Sequence, residues 1–124
     1  MSSDLEQFKT HKFLNLETVR KSGVTVATPV WFVERDGKFY VRTVSDAGKV
    51  KRIRNNGKVR IMPCGQRGEP KGEWINATAR LNTAEEDVTI NAWFLSRFGF
   101  AKRVFDLMNT LRRTKWQAIE IVPE

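Results

Sequence analysis

Two short runs carry the residues best suited to chemistry. They are Thr28-Pro29-Val30-Trp31 and Gly48-Lys49-Val50-Lys51-Arg52-Ile53, with Val41-Arg42-Thr43 between them. Read as local structure, they give a strand, an Asp36-Gly37 hairpin turn, a return strand, and a helix opening on a glycine and a lysine. A helix start leaves backbone N–H groups without intrahelical acceptors and carries partial positive charge. Lys49 at that start, with Arg42 on the strand before it, makes a phosphate seat beside a sheet. The chemistry this predicts is the holding of a phosphorylated cofactor. Arg42→Ala is accordingly expected to weaken cofactor binding and leave the fold intact.

The usual protein-borne catalytic groups are missing. His11 is the only histidine and lies near the N-terminus, which argues against a His-based metal site or triad, so no metal is expected. Cys64 ends an apolar run with no histidine near it in sequence and reads as a buried structural thiol. Glu85, Glu86 and Asp87 fall in the first turn of a helix, where acids favour the dipole. Neither a P-loop nor a Gly-x-Gly-x-x-Gly run occurs. No residue is therefore assigned a catalytic role, and any reaction here needs a cofactor to supply the chemistry.

These elements must be positioned by a small fold. The 124 residues fit a single domain over 1–124, and 40% hydrophobic content suffices for a core at that length. Four Trp and eight Phe make the core aromatic-rich. No apolar run reaches the roughly 18 residues of a membrane span. The polar stretch Met1 to Thr10 does not read as a signal peptide. One cysteine excludes an internal disulfide and suits a reducing cytoplasm. The net charge of +8 is concentrated in two places. Lys49, Lys51, Arg52, Arg54, Lys58 and Arg60 form an acid-free run; Arg97, Lys102, Arg103, Arg112, Arg113 and Lys115 form another, broken by Asp106. Such a balance implies an anionic partner: a nucleic acid, an acidic membrane or a phosphate-rich small molecule.

Along the chain, residues 3–10 read as a lead helix and 12–20 as a strand ending at the turn Lys21-Ser22-Gly23. Residues 24–34 are β-branched and aromatic and read as a second strand. Pro29 inside it implies an edge, a bulge or a backbone turned toward a ligand. Residues 38–44 return as a third strand, and 47–56 form the short basic helix with Val50 and Ile53 on one face. Strands follow over 58–64 and, after the loop Gly65 to Pro70, over 72–82 through Trp74. Residues 84–98 and 100–112 read as helix, divided at Gly99, with a stripe of Ile90, Phe94, Phe98, Ala101, Phe105 and Met108. A last strand spans 115–122. About six strands, mostly joined by hairpins, predict a mainly β fold: an antiparallel barrel with flanking helices rather than a Rossmann sheet.

The ordered set Thr28-Pro29-Val30-Trp31-Phe32-Val33, Phe39-Tyr40-Val41-Arg42-Thr43 and Gly48-Lys49-Val50-Lys51-Arg52-Ile53-Arg54-Asn55-Asn56 resembles the pyridoxamine 5′-phosphate oxidase-like split β-barrel superfamily. The match is closest to its small branch that uses the deazaflavin coenzyme F420. Val59-Arg60-Ile61-Met62-Pro63-Cys64 and Gly72-Glu73-Trp74-Ile75-Asn76-Ala77-Thr78-Ala79-Arg80 fit as well, so the resemblance covers residues 12 to 122. It implies a homodimer of six-stranded FMN-binding split barrels with cofactor at the interface. It also implies that Thr28, Pro29, Val30 and Trp31 line the flavin or deazaflavin ring. Arg42 and Thr43 would then lie near the ribityl chain and phosphate. Ala47, Gly48 and Lys49 would hold the phosphate, and Lys51, Arg52 or Arg54 would meet charge on a longer tail.

One departure bears on the cofactor. Flavin-phosphate oxidases of this superfamily carry Ser-Arg-Lys at the helix start, where this chain has Ala47-Gly48-Lys49, and Asp46 is unfavourable beside a phosphate unless it caps the helix. The basic track beyond Lys49 suits the polyglutamate tail of F420 better than the shorter flavin mononucleotide (FMN). The expected function is an F420-dependent reductase passing a hydride to an unsaturated or quinone-like organic acceptor. The alternatives are an FMN-binding pyridoxamine 5′-phosphate oxidase-related protein or a non-catalytic flavin or haem carrier. A nucleic-acid-binding barrel ranks third, because it leaves Pro29 and the Gly-Lys helix start without a reason. No vitamin B6 oxidation is expected.

Overall fold

The structure, a computed structural model, describes residues 5–111 and 115–124, with side chains at 100, 101 and 104–111 left aside. After the lead segment, the described residues form seven strands and two helices in order. They are β1 (Phe13–Val19), β2 (Thr25–Trp31), β3 (Val33–Arg35), β4 (Lys38–Val44), α1 (Gly48–Asn55), β5 (Lys58–Cys64), β6 (Ile75–Leu81), α2 (Ala84–Leu111) and β7 (Trp116–Pro123). They build one antiparallel sheet in the order β2-β1-β5-β6-β7-β4-β3. Its two edge strands, β2 and β3, are consecutive in sequence and separated only by Phe32, so the sheet must curl until its edges meet. This is the split β-barrel expected from the sequence, with one change: the strand anticipated over 24–34 is broken in two. Phe32, 1% exposed, points inward at the break and packs on Phe39 and Phe8.

The barrel interior follows from the two-residue alternation of strands. Leu14 and Leu16, Phe39 and Val41, Ile61, Ala77 and Ala79, and Ile119 and Ile121 all face inward and are buried. One end is filled by Val50 and Ile53 of α1, which share a helix face as expected. In the lead segment residues 5 and 6 are helical and 7–10 form a turn, and Phe8 enters the core, 4.7 Å from the Phe39 ring. One strand boundary moves. The strand anticipated from residue 72 begins at Ile75, because Gly72 to Trp74 are held otherwise: Glu73 exchanges two hydrogen bonds with the Gln7 amide, and Trp74 lies under the Arg60 guanidinium, 4.7 Å away.

Helix α2 lies on the outer face of the barrel. Ile90 and Phe94 pack against Val33, Tyr40 and Ala118, with Trp31, Trp93 and Phe98 around them. Gly99 breaks the helix at φ 57°, ψ −124°, as its place between two helical runs suggested. Ala101, Phe105 and Met108 of the anticipated stripe have side chains outside those described, and Arg112 and Arg113 lie outside the described residues. Among the described residues, no helix is long and apolar enough to cross a membrane, and no cluster of three metal-ligating side chains occurs.

The split arises where β2 and β4 diverge. β3 pairs with β4 only from Lys38 to Tyr40, while β2 pairs only with β1. The stretches Thr28–Trp31 and Val41–Val44 therefore face each other with no ladder between them.

Candidate cofactor-binding site

A cavity of about 450 Å³ opens at this divergence. Its walls are Pro29, Val30 and Trp31 of β2, Arg42, Thr43 and Val44 of β4, Phe13, Trp116, and Gln66 from the loop after β5. Five residues anticipated for ring and ribityl contacts, Pro29, Val30, Trp31, Arg42 and Thr43, thus line one space.

The position of Pro29 now has a reason. The Arg20 and Phe32 amides donate to Val24 and Lys12 across the β1–β2 pair, so the even-numbered residues of β2 carry its ladder bonds. Pro29 falls on the other parity, on the open side, where its missing N–H costs no ladder bond. Next to it, the hydroxyl of Thr28 is buried with no hydrogen-bond partner among the described residues. An orphaned hydroxyl costs free energy unless a ligand or water serves it.

Trp31 stacks on Phe98 of α2 at 4.5 Å between centroids and 10° between planes, with Phe13 at 6.3 Å. Opposite, the Arg42 guanidinium sits 5.2 Å over the Trp116 ring. That guanidinium is only 9% exposed and already engaged. It donates to both Asp87 carboxylate oxygens, at 2.8 and 3.0 Å, and to the Asn91 side-chain oxygen at 2.8 Å. The expectation that Arg42 is dispensable to the fold did not anticipate this ion pair. Asp87, read from sequence as a dipole-favouring acid, is its counter-ion.

The start of α1 has the opposite electrostatics. Ala47 is the N-cap and supplies no side-chain bond, so the first amides of the helix are uncapped by any side chain. Asp46, which the sequence left as a possible cap, is exposed and does not serve as one. A Cβ on Gly48 would stand 2.7 Å from an Arg52 guanidinium nitrogen, so the glycine makes room for Arg52 to lie against the helix start. Arg52 is steered there by its Nε, which donates to the buried Thr18 hydroxyl at 2.6 Å. Burial, and then the Arg52 charge, push the Lys49 ammonium below its ordinary pKa; burial and Arg20 lower that of Arg52. Among the described residues, neither has a carboxylate partner. Ala47, Gly48, Lys49 and Arg52 are thus brought together, three residues beyond Val44 in the cavity wall.

The residues fit a flavin-type group by two observations: an aromatic-walled slot, and an uncapped helix start whose two cations lack counter-ions; Thr28, also anticipated for the ring, is not one of the slot's walls. The family model for pyridoxamine 5′-phosphate oxidase matches residues 3–114. The chain belongs to that family. Solved structures similar to this family member agree on the fold. One is a Clostridium acetobutylicum protein related to general stress protein 26 of the pyridoxine-phosphate oxidase family: 14% identity over 99% of this chain and 82% of that one, TM-score 0.71. Another is the haem storage protein HutZ of Vibrio cholerae: 20% identity, 99% and 89%, TM-score 0.73. A third is a FAD-binding protein of Mesorhizobium loti: 12% identity, 99% and 87%, TM-score 0.64. A search of curated proteins finds no match.

Sequence reasoning missed four wall residues of this oxidase-family barrel: Phe13, Val44, Gln66 and Trp116. Gln66 sits on a braced loop. The Glu69 carboxylate accepts the Arg67 amide at 2.7 Å, the Gly65 amide donates to the Glu69 carbonyl, and the Asn15 amide donates to the Gly68 carbonyl at 3.0 Å. Cys64, at the root of that loop, is buried, and its thiol is pushed up to about 11, chiefly by burial and then by Glu69. It is the structural thiol expected.

Proposed function

We propose that the protein is a flavin- or deazaflavin-dependent oxidoreductase, with coenzyme F420 favoured over FMN, acting as a single split-barrel domain in a cytoplasmic homodimer. The observation that carries this reading is the pairing of an aromatic, charge-neutralised slot with an uncompensated cationic helix start. A planar neutral ring joined to an anionic tail has that same division. Family membership supports it, because the family includes oxidoreductases.

In this reading Pro29, Val30 and Trp31 bind one edge of the ring, and Thr28 gains a partner for its orphaned hydroxyl. Trp116 and Val44 close the other side and exclude water. Thr43 lies toward the ribityl chain. Arg42 shapes the wall through its bonds to α2 rather than reaching for phosphate. The amides of α1, Lys49 and Arg52 take the phosphate. Exposed Lys51 and Arg54 extend the positive track past it, and that extension supports the longer, more anionic tail of F420. When bound, the cofactor supplies hydride transfer to an unsaturated or quinone-like acceptor. The chain's part is to orient ring and acceptor and keep the slot dry.

The test is parallel fluorescence titration of cofactor-free protein with F420 and with FMN. Tight F420 binding with weak FMN binding, followed by turnover of a reducible acceptor, is the expected result. The reverse preference moves the protein to FMN; binding without turnover makes it a carrier. Binding of neither removes the cofactor reading.

A further inference from the structure

The cavity walls belong to two strands that no ladder joins, so something else must hold them at a fixed separation. Helix α2 touches both. Near its start, Asp87 and Asn91 hold Arg42 of β4 through three hydrogen bonds of 2.8 to 3.0 Å. At the end of its first half, Phe98 stacks flat on Trp31 of β2, and Arg97 donates to the His11 carbonyl just before β1. Asp87 and Phe98 are eleven positions apart, about 16 Å along a helix at 1.5 Å per residue. Between them Ile90 and Phe94 fix the helix body to Val33, Tyr40 and Ala118. Directly after Phe98 the helix breaks at Gly99.

We propose that residues 84–98 of α2 are a clamp across the split, and that Asp87, Asn91 and Phe98 are positioning residues that set the width of the cavity. Both side chains they grip, Arg42 and Trp31, are themselves cavity walls. The clamp also explains why a charged arginine stands in a slot meant for a neutral ring: Asp87 cancels its charge while Trp116 covers its face. That the slot takes the cofactor ring rests on the function proposed above; that α2 couples the two strands does not.

The coupling is what distinguishes a clamp from ordinary local packing. Amide hydrogen exchange of the ligand-free protein is followed in 28–31, 41–44 and, as reference, 58–64. Asp87→Ala touches only the β4 grip, yet it should speed exchange in both 28–31 and 41–44 by about ten-fold more than in 58–64, whose exchange reports the general loss of stability. Phe98→Ala cuts the stack on Trp31 of β2, together with its stack on Phe94 within α2, and should do the same relative to 58–64. Asp87→Asn, which still accepts from Arg42, should recover most of the protection; if Asp87→Ala does not fold, Asn91→Ala, which cuts one bond of the same grip, takes its place with the same pattern expected. FMN and riboflavin should both bind about ten-fold more weakly to Asp87→Ala, because ring rather than phosphate contacts are loosened. Faster exchange confined to the strand whose grip was cut overturns the clamp, as does unchanged exchange in both. If wild-type protein binds neither F420 nor FMN, the cofactor reading fails, and the exchange pattern still decides the clamp.

Discussion

Replacing Arg42 separates two accounts of this molecule. If the guanidinium is held for a phosphate, Arg42→Ala loses affinity and leaves stability almost untouched. The structure argues otherwise. The side chain is 9% exposed and forks onto Asp87, itself 23% exposed, with a third bond to Asn91. Truncation strands a carboxylate and an amide together. Removing one partner of a fully buried pair costs about 3 to 5 kcal/mol, and the residual exposure of Asp87 lets water recover part of that, so about 2 to 3 kcal/mol is expected. Asp87→Ala strands the more buried partner and should cost about 3 kcal/mol or somewhat more. The double variant leaves neither charge alone, so its cost should fall short of the sum by about 1.5 to 3 kcal/mol. Urea unfolding followed by far-ultraviolet circular dichroism reads this without depending on Trp116, which Arg42 covers. With a slope of about 1.5 kcal/mol per molar, Arg42→Ala should lower the midpoint by about 1 to 2 M. Arg42→Lys keeps the charge but not the fork, and should recover only part of the loss. A midpoint within about 0.3 M of wild type, or a coupling below about 0.5 kcal/mol, would refute the reasoning and return Arg42 to the phosphate.

Further outcomes follow from Lys49 and Cys64. Lys49→Ala removes a charge-assisted contact to phosphate and should weaken FMN by about 1.5 to 3 kcal/mol, about 10- to 150-fold in Kd, while riboflavin, which has no phosphate, is unaffected. Because the Lys49 pKa is lowered in the folded protein, the unfolded chain binds more protons between that lowered value and 10.5, and stability contributed by Lys49 rises with pH across that window. A bound phosphate favours the charged amine, so FMN affinity should fall as pH climbs through the same window; a flat affinity profile there, with Lys49→Ala matching wild type, rules the residue out. Cys64, with its thiol pushed up to about 11, should resist iodoacetamide at pH 8 until the protein is unfolded. Labelling of native protein at the rate of a free thiol would show that the loop over it opens readily.

How far the sequence reaches can be judged from single residues. Asp36-Gly37 was legible because a tight hairpin needs positive φ at both positions, and the structure has 54° and 80° there. Val50 and Ile53 were legible from their spacing, and Pro29 because a proline in a strand demands an open edge. The break at Phe32 was not: an inward aromatic looks the same in an unbroken strand, and only barrel closure forces the bend. The partner of Arg42 lies 45 residues away, and nothing local marks Asp87 rather than Glu85 or Glu86 as its counter-ion. The capping box was a missed local signal. Thr83 and Glu86 exchange hydrogen bonds at 2.9 and 3.2 Å, and the Thr-x-x-Glu spacing announces it. Trp116 and Gln66 reach the site through sheet order and loop path, which periodicity does not encode.

Arg42, Lys49 and Arg52 looked equivalent in sequence: three cations within eleven positions, all suited to an anion. The fold sorts them by what it supplies as counter-charge. Arg42 receives a carboxylate, an amide and an aromatic face, and so becomes part of a wall. Lys49 and Arg52 receive a helix start, a threonine hydroxyl and each other, an arrangement that raises the free energy of both charged forms. Neither charge is favoured by its surroundings: burial and Arg52 work against the charged Lys49, and burial and Arg20 against the charged Arg52. In the proposed function an anion relieves the arrangement, and the uncapped amides beside the two side chains are where it would sit. The slot a few residues away is lined by rings, with its one charge already cancelled, and it has no such need. The electrostatics thus suit the proposed ligand, one with a neutral planar end and an anionic end, joined over the short distance from Val44 to Gly48.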